Sequence, residues 1–226
     1  MDTPRLGDIE VTFYDEFIYD LSTLNEFVNR IEMHKSHHQA LILFSEHATS
    51  TSISLTQPGA PTCFKLQLLN GLLVLNNQLF AMSHILPSFS AFLLNVEDLH
   101  ISVMQASSQE YCFCREKWLR ILESFTGVKW LHLNVNDSTD IVRALQGMYS
   151  RQKTVPSALD MLYLQHPQPP HAPLSEAIVL FMTSRWHSGY PIAACRISEL
   201  HRTGMSLLSL YHRLLNCLKQ DLFLSW

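Results

Sequence analysis

Histidine and cysteine are the residues of this chain whose types and spacing could do chemistry. His34, His37 and His38 lie together in EMHKSHHQA, and histidines three or four residues apart can share one face of a helix and hold a metal ion. A closed zinc site needs four ligands, however, and no cysteine or acid nearby completes the set. Cys112 and Cys114, in YCFCREKW, have no local positive cluster that would make either thiol reactive. We therefore expect a solvated turn and structural cysteines, with no metal, no cofactor and no catalytic residue.

A second group of polar residues lies inside predicted strands. His100, His132 and Tyr163 each stand between two apolar residues, in LHI, LHL and LYL. Because side chains alternate across a strand, Leu99 and Ile101 should face a helix layer while the three polar residues line up on the opposite, exposed face. That face is either a protein-binding surface or an ordinary solvated sheet face, since alternation follows from the strand period whatever the function.

Two tryptophans border these segments. Trp118 opens WLRIL and is predicted to anchor a helix to the core. Trp130 is adjacent to the strand residue Leu131, and an exposed tryptophan there would be a candidate binding hot spot. We expect both rings to be packed.

The elements that position these residues repeat along the chain. Apolar residues at offsets of 3, 3 and 2 occur in three strong copies and one weaker copy at the N-terminus. The strong copies are Leu93, Val96, Leu99 and Ile101; Phe125, Val128, Leu131 and Leu133; and Pro156, Leu159, Leu162 and Leu164; the weak one is Leu6, Ile9, Val11 and Phe13. The anchors Leu99, Leu131 and Leu162 are spaced by 32 and then 31 residues. A period of this length is typical of stacked repeats.

Each copy continues through a polar turn into a segment of helical period. The apolar helix faces are Ile141, Ala144, Leu145 and Met148, with Asp137 or Ser138 as the N-cap; Ala177, Ile178, Phe181 and Met182; and Leu24, Phe27, Val28 and Ile31. Further strands are predicted at residues 40–45 and 64–69 and a helix near 78–86, whereas TSTSISLTQPGAPT, residues 49–62, is typical of a loop. The chain is thus predicted to be α/β, an open curved leucine-rich-repeat-like solenoid with parallel strands on one side and helices on the other.

The predicted solenoid covers residues 1–193, and residues 194–226 differ from it. Leu208, Tyr211, Leu215, Leu218 and Leu222 fall on one face of an amphipathic helix. This C-terminal tail is predicted to cap the solenoid, with association or a gene-model extension as the alternatives.

Composition excludes several classes of function. The net charge is -4 and the 16 Lys and Arg residues are scattered, so no stripe suits nucleic acid. The 7 glycines form no GxGxxG, GxxxxGK or GxSxG pattern, which weighs against nucleotide enzymes and serine hydrolases.

The 5 cysteines and an acidic N-terminus without a signal-peptide pattern predict an intracellular protein, cytoplasmic or nuclear. The most apolar stretch, residues 66–86, is interrupted by polar residues and predicts no membrane span.

Several of these segments resemble the leucine-rich-repeat-like part of fungal F-box proteins from mushroom-forming species. The resemblance covers roughly residues 5–193 and is carried by LLNVEDLHIS, EKWLRILESFTGVKWLHL, VPSALDMLYL and SEAIVLFMTSRWHSGYPIA. In that family an F-box binds a Skp-type adaptor of a cullin ubiquitin ligase, and the repeats recruit a substrate. We expect the repeats here to act without an F-box, so the resemblance implies a protein partner for the repeats and no binding of a Skp-type adaptor.

The sequence therefore predicts a non-enzymatic protein–protein interaction module, with His100, His132 and Tyr163 on its binding face. The partner is an unidentified protein, and neither nucleic acid nor membrane is expected. One alternative is a small metal- or cysteine-dependent hydrolase that uses the His-rich loops, which would need His, Cys and acid side chains to converge in one pocket. The other is a truncated remnant without function.

Overall fold

Eight strands form one open mixed sheet in a computed structural model that describes residues 9–13, 26, 38–45, 50–56, 64–69, 75–104, 115–134, 138–150, 158–166 and 172–199. The strands are β1 (Ile9–Phe13), β2 (Gln39–Ser45), β3 (Ser50–Thr56), β4 (Phe64–Leu69), β5 (Asp98–Met104), β6 (Trp130–Asn134), β7 (Met161–His166) and β8 (Ala194–Glu199). The helices are α1 (Leu75–Ile85), followed by a 3-10 turn (Leu86–Phe89), α2 (Ser90–Leu93), α3 (Arg115–Glu123), α4 (Thr139–Ser150) and α5 (Ala172–His187).

The sheet has the order β1-β4-β3-β2-β5-β6-β7-β8. Strands β2, β5, β6, β7 and β8 pair in parallel, and β1 is parallel to β4. Strand β3 runs antiparallel to both β2 and β4. The fold is therefore α/β as predicted, but the expectation of a purely parallel sheet is wrong at β3.

The helices cover one face of this sheet. Strand residues at alternate positions and the apolar sides of the helices belong to one continuous buried core. Helices α1, α3, α4 and α5 contact one another in that order, and α1 also contacts β2 and β3. Burial of apolar surface on this side is the main force that holds the strand and helix layers together.

The repeated apolar spacing corresponds to real structural units. In the part of the chain that the structure describes, every anchor of the strong copies is almost fully buried: Leu93, Val96, Leu99, Ile101, Phe125, Val128, Leu131, Leu133, Leu159, Leu162 and Leu164. The helix face Ile141, Ala144, Leu145 and Met148 is buried as well, and α4 begins directly after Ser138. Three of the predicted features lie outside the described residues: Pro156, Leu6 of the weak copy, and the helix at residues 24–31 apart from Glu26.

A backbone feature recurs at the starts of the parallel strands β5, β6, β7 and β8. The carbonyl oxygen just before one strand accepts two N–H bonds from the residues that start the next strand. The pairs are His38 O with Glu97 N and Asp98 N (2.9 and 2.9 Å), Glu97 O with Lys129 N and Trp130 N (2.7 and 2.9 Å), Lys129 O with Asp160 N and Met161 N (2.9 and 3.0 Å), and Asp160 O with Ala193 N and Ala194 N (2.8 and 3.3 Å). These bonds fix the parallel strands in register.

Strand β3 occupies part of the segment predicted to be a loop, so that prediction is wrong for residues 50–56. Thr51, Ile53 and Leu55 are buried while the serines between them are only partly buried. A run of Ser and Thr is typical of loops, yet β-branched and small residues at alternate positions also fit a half-buried strand. Because Ile53 and Leu55 are both buried and are two residues apart, the segment forms a strand and not a loop.

Strand β8 extends the sheet beyond the boundary predicted at residue 193. Residues 194–199 pair in parallel with β7, with Cys195 opposite Leu162 and Ile197 opposite Leu164. This places a further strand at the beginning of the predicted helical tail. The amphipathic helix predicted over residues 208–222 lies outside the described residues. Within the described ranges, no helix is long and apolar enough to cross a membrane.

Candidate functional site

The three residues predicted to share an exposed strand face are direct neighbours across β5, β6 and β7. His100 is paired with His132, and His132 with Tyr163, in the parallel register. All three side chains are partly exposed, whereas Leu99 and Leu131, one position earlier on their strands, are buried against the helices. We refer to His100, His132 and Tyr163 as the ring ladder and to their side of the sheet as the open face.

The rings of the ladder stack on one another. The centroids of His100 and His132 are 4.1 Å apart with an angle of 3° between the ring planes. His132 and Tyr163 stack at 4.2 Å and 2°. In-register parallel strands bring equivalent side chains close to the inter-strand distance of about 4.8 Å, and flat rings fill that distance by stacking. The guanidinium carbon of Arg196, the next residue in the row, lies 5.9 Å from the Tyr163 centroid and adds a cation–π contact.

A carboxylate lies against the histidine end of the ladder. Asp98 is two residues before His100 on β5 and therefore points to the same face. Its Oδ1 atom is 3.1 Å from Nε2 of His100 and 3.2 Å from Nε2 of His132. These are ion-pair distances, but neither ring nitrogen meets Oδ1 in hydrogen-bond geometry, and Oδ1 is itself shielded from solvent.

The orientation of Asp98 is set by two polar residues on β2 and β3. Nε2 of Gln39 donates a hydrogen bond to Oδ2 of Asp98 at 3.1 Å. The Gln39 side chain is held in turn by the hydroxyl of Thr56, which donates to Oε1 at 3.3 Å. This chain of hydrogen bonds holds Oδ2 on the Gln39 side and leaves Oδ1 directed at the two imidazoles.

The local electrostatics favour an ionised Asp98 beside a neutral His132. Burial of the Asp98 carboxyl opposes its ionisation, but the contact with His100, the charges of His100 and His132 and the hydrogen bond from Gln39 outweigh burial and lower its pKa. The pKa of His132 is also lowered, first by burial and then by the charge of His100, against the attraction of Asp98. Both shifts favour the deprotonated form of the group concerned.

The ladder forms the floor of a shallow groove on the open face. The groove encloses about 710 Å³ and is lined by Ser102, Asn134 and Gln165 next to the ladder, with Leu41 and Arg196 at the two ends of the row. Leu41 is 43% exposed at its end. The groove therefore offers hydrogen-bonding groups along its length and an apolar contact at one end.

The two tryptophans lie on opposite sides of the sheet. Trp118 is buried in the core and meets Phe44 edge to face at a centroid distance of 5.5 Å, as predicted for a core anchor. Trp130 is 37% exposed and stands directly opposite Asp98 on the neighbouring strand. The prediction that Trp130 is packed is wrong, because alternation with the buried Leu131 turns Trp130 to the open face.

The other chemically interesting residues of the sequence are not brought to this site within the described ranges. His34, His37, Cys112 and Cys114 lie outside the described residues, and His38 precedes β2. Cys195 is described, but it packs against the buried core on the helix side of the sheet. The sheet itself therefore separates this thiol from the ring ladder.

We expect Cys195 to react slowly with alkylating reagents in the folded protein. Burial raises the pKa of its thiol to about 12, so the thiolate that reacts is about a thousandfold scarcer than for an ordinary cysteine at mildly alkaline pH. Timed treatment with iodoacetamide and peptide mass spectrometry should show Cys195 modified quickly only after unfolding in denaturant. Equal rates in the folded and unfolded chain would contradict this assignment.

Two members of the site could not be found from histidine and tyrosine spacing alone. Asp98 starts its strand one residue before the anchor Leu99, and the signal for it is the D-x-H spacing, which puts both side chains on one face of a strand. Arg196 falls in the segment that the sequence assigned to the tail. Recognising Cys195 and Ile197 as a further copy of the apolar-x-apolar strand would have placed Arg196 next to Tyr163.

Comparison with known proteins found no match for this chain. No protein-family model, no curated protein and no solved structure matches the chain. The function is therefore inferred from the geometry of the open face.

Proposed function

We propose that this chain is a non-catalytic protein-binding module, a leucine-rich-repeat-like solenoid similar to the substrate-recognition region of F-box proteins, whose open face holds the partner. The observation that carries the proposal is the ring ladder, a continuous row of partly exposed ring edges on three neighbouring strands. Stacked rings keep their positions without a partner, so little side-chain entropy is lost when one binds.

The composition around the ladder supports a protein as the partner. Aromatic and arginine side chains are enriched in protein interfaces, and Tyr163, Trp130 and Arg196 all reach the open face. Met104, 53% exposed at the end of β5, adds an adaptable apolar contact. The repeat architecture supports the same reading, because stacked strand–helix units commonly present one extended face of the sheet for binding.

The proposal predicts that alanine at Tyr163 or Arg196 removes a partner without unfolding the chain. Affinity capture from the native cell with the wild-type chain, followed by mass spectrometry, identifies candidates, and each is then purified and titrated against the variants. We expect at least about a tenfold loss of affinity for Tyr163→Ala, because a central aromatic residue of an interface contributes more than 1.4 kcal/mol.

The matched control is Leu180→Ala on α5. Leu180 is an apolar residue that is 47% exposed, and it belongs to the helix layer rather than to the open face. This variant should capture the same proteins as the wild type with unchanged affinity. If every captured protein binds Tyr163→Ala and Arg196→Ala as tightly as the wild type, the assignment of the open face as the binding surface is wrong.

A further inference from the structure

Asp98, His100 and His132 place three ligand atoms of two chemical types around one point of the open face. One carboxylate oxygen and two imidazole nitrogens lie within 4.8 Å of one another. We propose that these three residues bind a zinc ion, a function that goes beyond the proposed binding of a protein. The sequence predicted no metal site, because its only histidine cluster was at residues 34–38.

Two of the three separations between the ligand atoms suit a single ion. Oδ1 of Asp98 is 3.1 and 3.2 Å from the two Nε2 atoms. Two ligands at about 2.0–2.1 Å from zinc, arranged at the tetrahedral angle, are about 3.3 Å apart. The backbone brings the three residues together, because the histidines are an in-register pair on neighbouring strands and Asp98 is two residues before His100 on the same face.

The carboxylate is oriented as a metal ligand should be. Gln39 donates to Oδ2, and Thr56 fixes Gln39, so one oxygen is occupied by a neighbouring side chain. The other oxygen, Oδ1, is shielded from solvent and contacts only the two imidazoles, without hydrogen-bond geometry to either. Outer hydrogen bonds such as the one from Gln39 commonly orient metal ligands. An ion at this point would replace the two direct contacts of Oδ1 with the imidazoles.

Binding requires the two imidazoles to rotate. Their planes are parallel within 3° and the centroids are 4.1 Å apart, so the in-plane lone pairs of the two Nε2 atoms lie in separate parallel planes and cannot meet at one point. The last torsion of a histidine side chain has a broad energy profile, and a modest rotation of each ring directs both lone pairs to one point. Zinc binding should therefore break the parallel stack of His100 and His132.

Three protein ligands leave a coordination position open. Structural zinc sites have four protein ligands, whereas sites with three keep the fourth position for water or another molecule. His100 and His132 line the groove, so we expect the open position to be reached from it. A bound zinc ion would consequently hold water or a donor group of whatever occupies the groove.

The direct test is zinc titration of the full chain, freed of metal and selectively labelled with ¹⁵N-histidine. The Nε2 resonances of His100 and His132, assigned by substitution, should shift together on addition of zinc sulfate. Cobalt(II) should give visible absorption bands of a low-coordinate site, and zinc should remove them. Because this measurement uses the wild-type chain, it does not depend on a variant that folds. If both Nε2 resonances stay in place at saturating zinc, the proposal is wrong.

Variants separate this site from the other histidines and cysteines of the chain. Asp98→Asn, His100→Gln and His132→Gln should each weaken zinc binding at this site by at least about tenfold, because even the loss of an outer hydrogen bond costs 10–100-fold. His84→Gln, on α1, is the matched control and should leave the titration unchanged. Equal zinc affinity in all four variants, with unchanged circular dichroism, would overturn the assignment. Tyr163→Ala should keep the zinc site, which distinguishes failure of this proposal from failure of the protein-binding one.

Discussion

Replacing Phe125 with alanine should lower the free energy of unfolding by about 3–5 kcal/mol. Phe125 is 1% exposed and lies in the turn between α3 and β6, where it is the first anchor of the second strong copy of the repeated spacing. Its ring is part of the continuous core, and the backbone here is held by the bond from Phe125 N to Leu122 O at 3.0 Å. Alanine would leave a cavity that this hydrogen-bonded turn cannot readily close. Guanidinium unfolding followed by circular dichroism measures the change.

Thr126→Ala is the matched control for Phe125. Thr126 is the next residue of the same turn and is only partly buried, so its truncation should change the free energy of unfolding by no more than about 0.5 kcal/mol. The slope of the unfolding transition should be the same in both variants if the chain unfolds as one unit. A loss of less than about 1 kcal/mol for Phe125→Ala would show that the ring is not part of the cooperative core.

The repeated units could be predicted because each one carries its own local signal. Leu131 and Leu133 alternate with His132, and the helical faces that follow recur at three and four residues. Parallel strands of equal spacing pair with like positions side by side, so one copy of the pattern predicts the environment of the next. Helix α4 is an example, since its predicted apolar face is buried throughout.

The part of the sheet from β1 to β4 could not be predicted in the same way. Strand β3 is a run of Ser and Thr with only two apolar residues, Ile53 and Leu55, and its pairing with β2 and β4 is antiparallel. The order of the strands also departs from chain order, because β1 pairs with β4. Such pairings depend on contacts between distant segments, and the spacing within one segment contains no information about them.

The candidate site, too, could be predicted only in part from the sequence. The shared row of His100, His132 and Tyr163 follows from strand alternation and the repeat period. The contact of Asp98 with His132 does not, because it crosses from one strand to the next on a diagonal and depends on side-chain rotamers. The role of Gln39 depends in addition on the pairing of β2 with β5, which no repeated motif indicates.

The two proposals use the same face and share His100 and His132. Zinc would be held at the histidine end of the ring ladder, whereas Tyr163 and Arg196 lie at the other end and supply no ligand. A protein partner that contacts both ends would bind differently with and without zinc. The two ends touch through the stack of His132 on Tyr163, so zinc binding and partner binding are expected to influence each other.

Alanine at Gly127 should destabilise the chain by about 2–3 kcal/mol, the upper part of the range for overpacking. A Cβ atom at this position would overlap the backbone carbonyl oxygen of Leu94 and press against that of Val96. Both belong to the turn that leads into β5, whose position is fixed by the bond from Val96 N to Leu93 O at 3.2 Å. Because backbone atoms cannot swing aside as a side chain can, the two neighbouring units would have to separate. Thermal and denaturant unfolding of the purified variant measure the effect.

Gly147→Ala is the internal comparison for this prediction. Gly147 lies within α4, and the three atoms nearest to a Cβ there all belong to the far end of the Arg115 side chain, which can move. Alanine is preferred over glycine inside a helix by about 1 kcal/mol, and this gain offsets the displacement of Arg115. We therefore expect Gly147→Ala to be close to neutral while Gly127→Ala is clearly destabilised. Equal stability of the two variants would mean that the turns of adjacent units are not packed against each other, and the stacking of strand–helix units along the sheet would have to be abandoned.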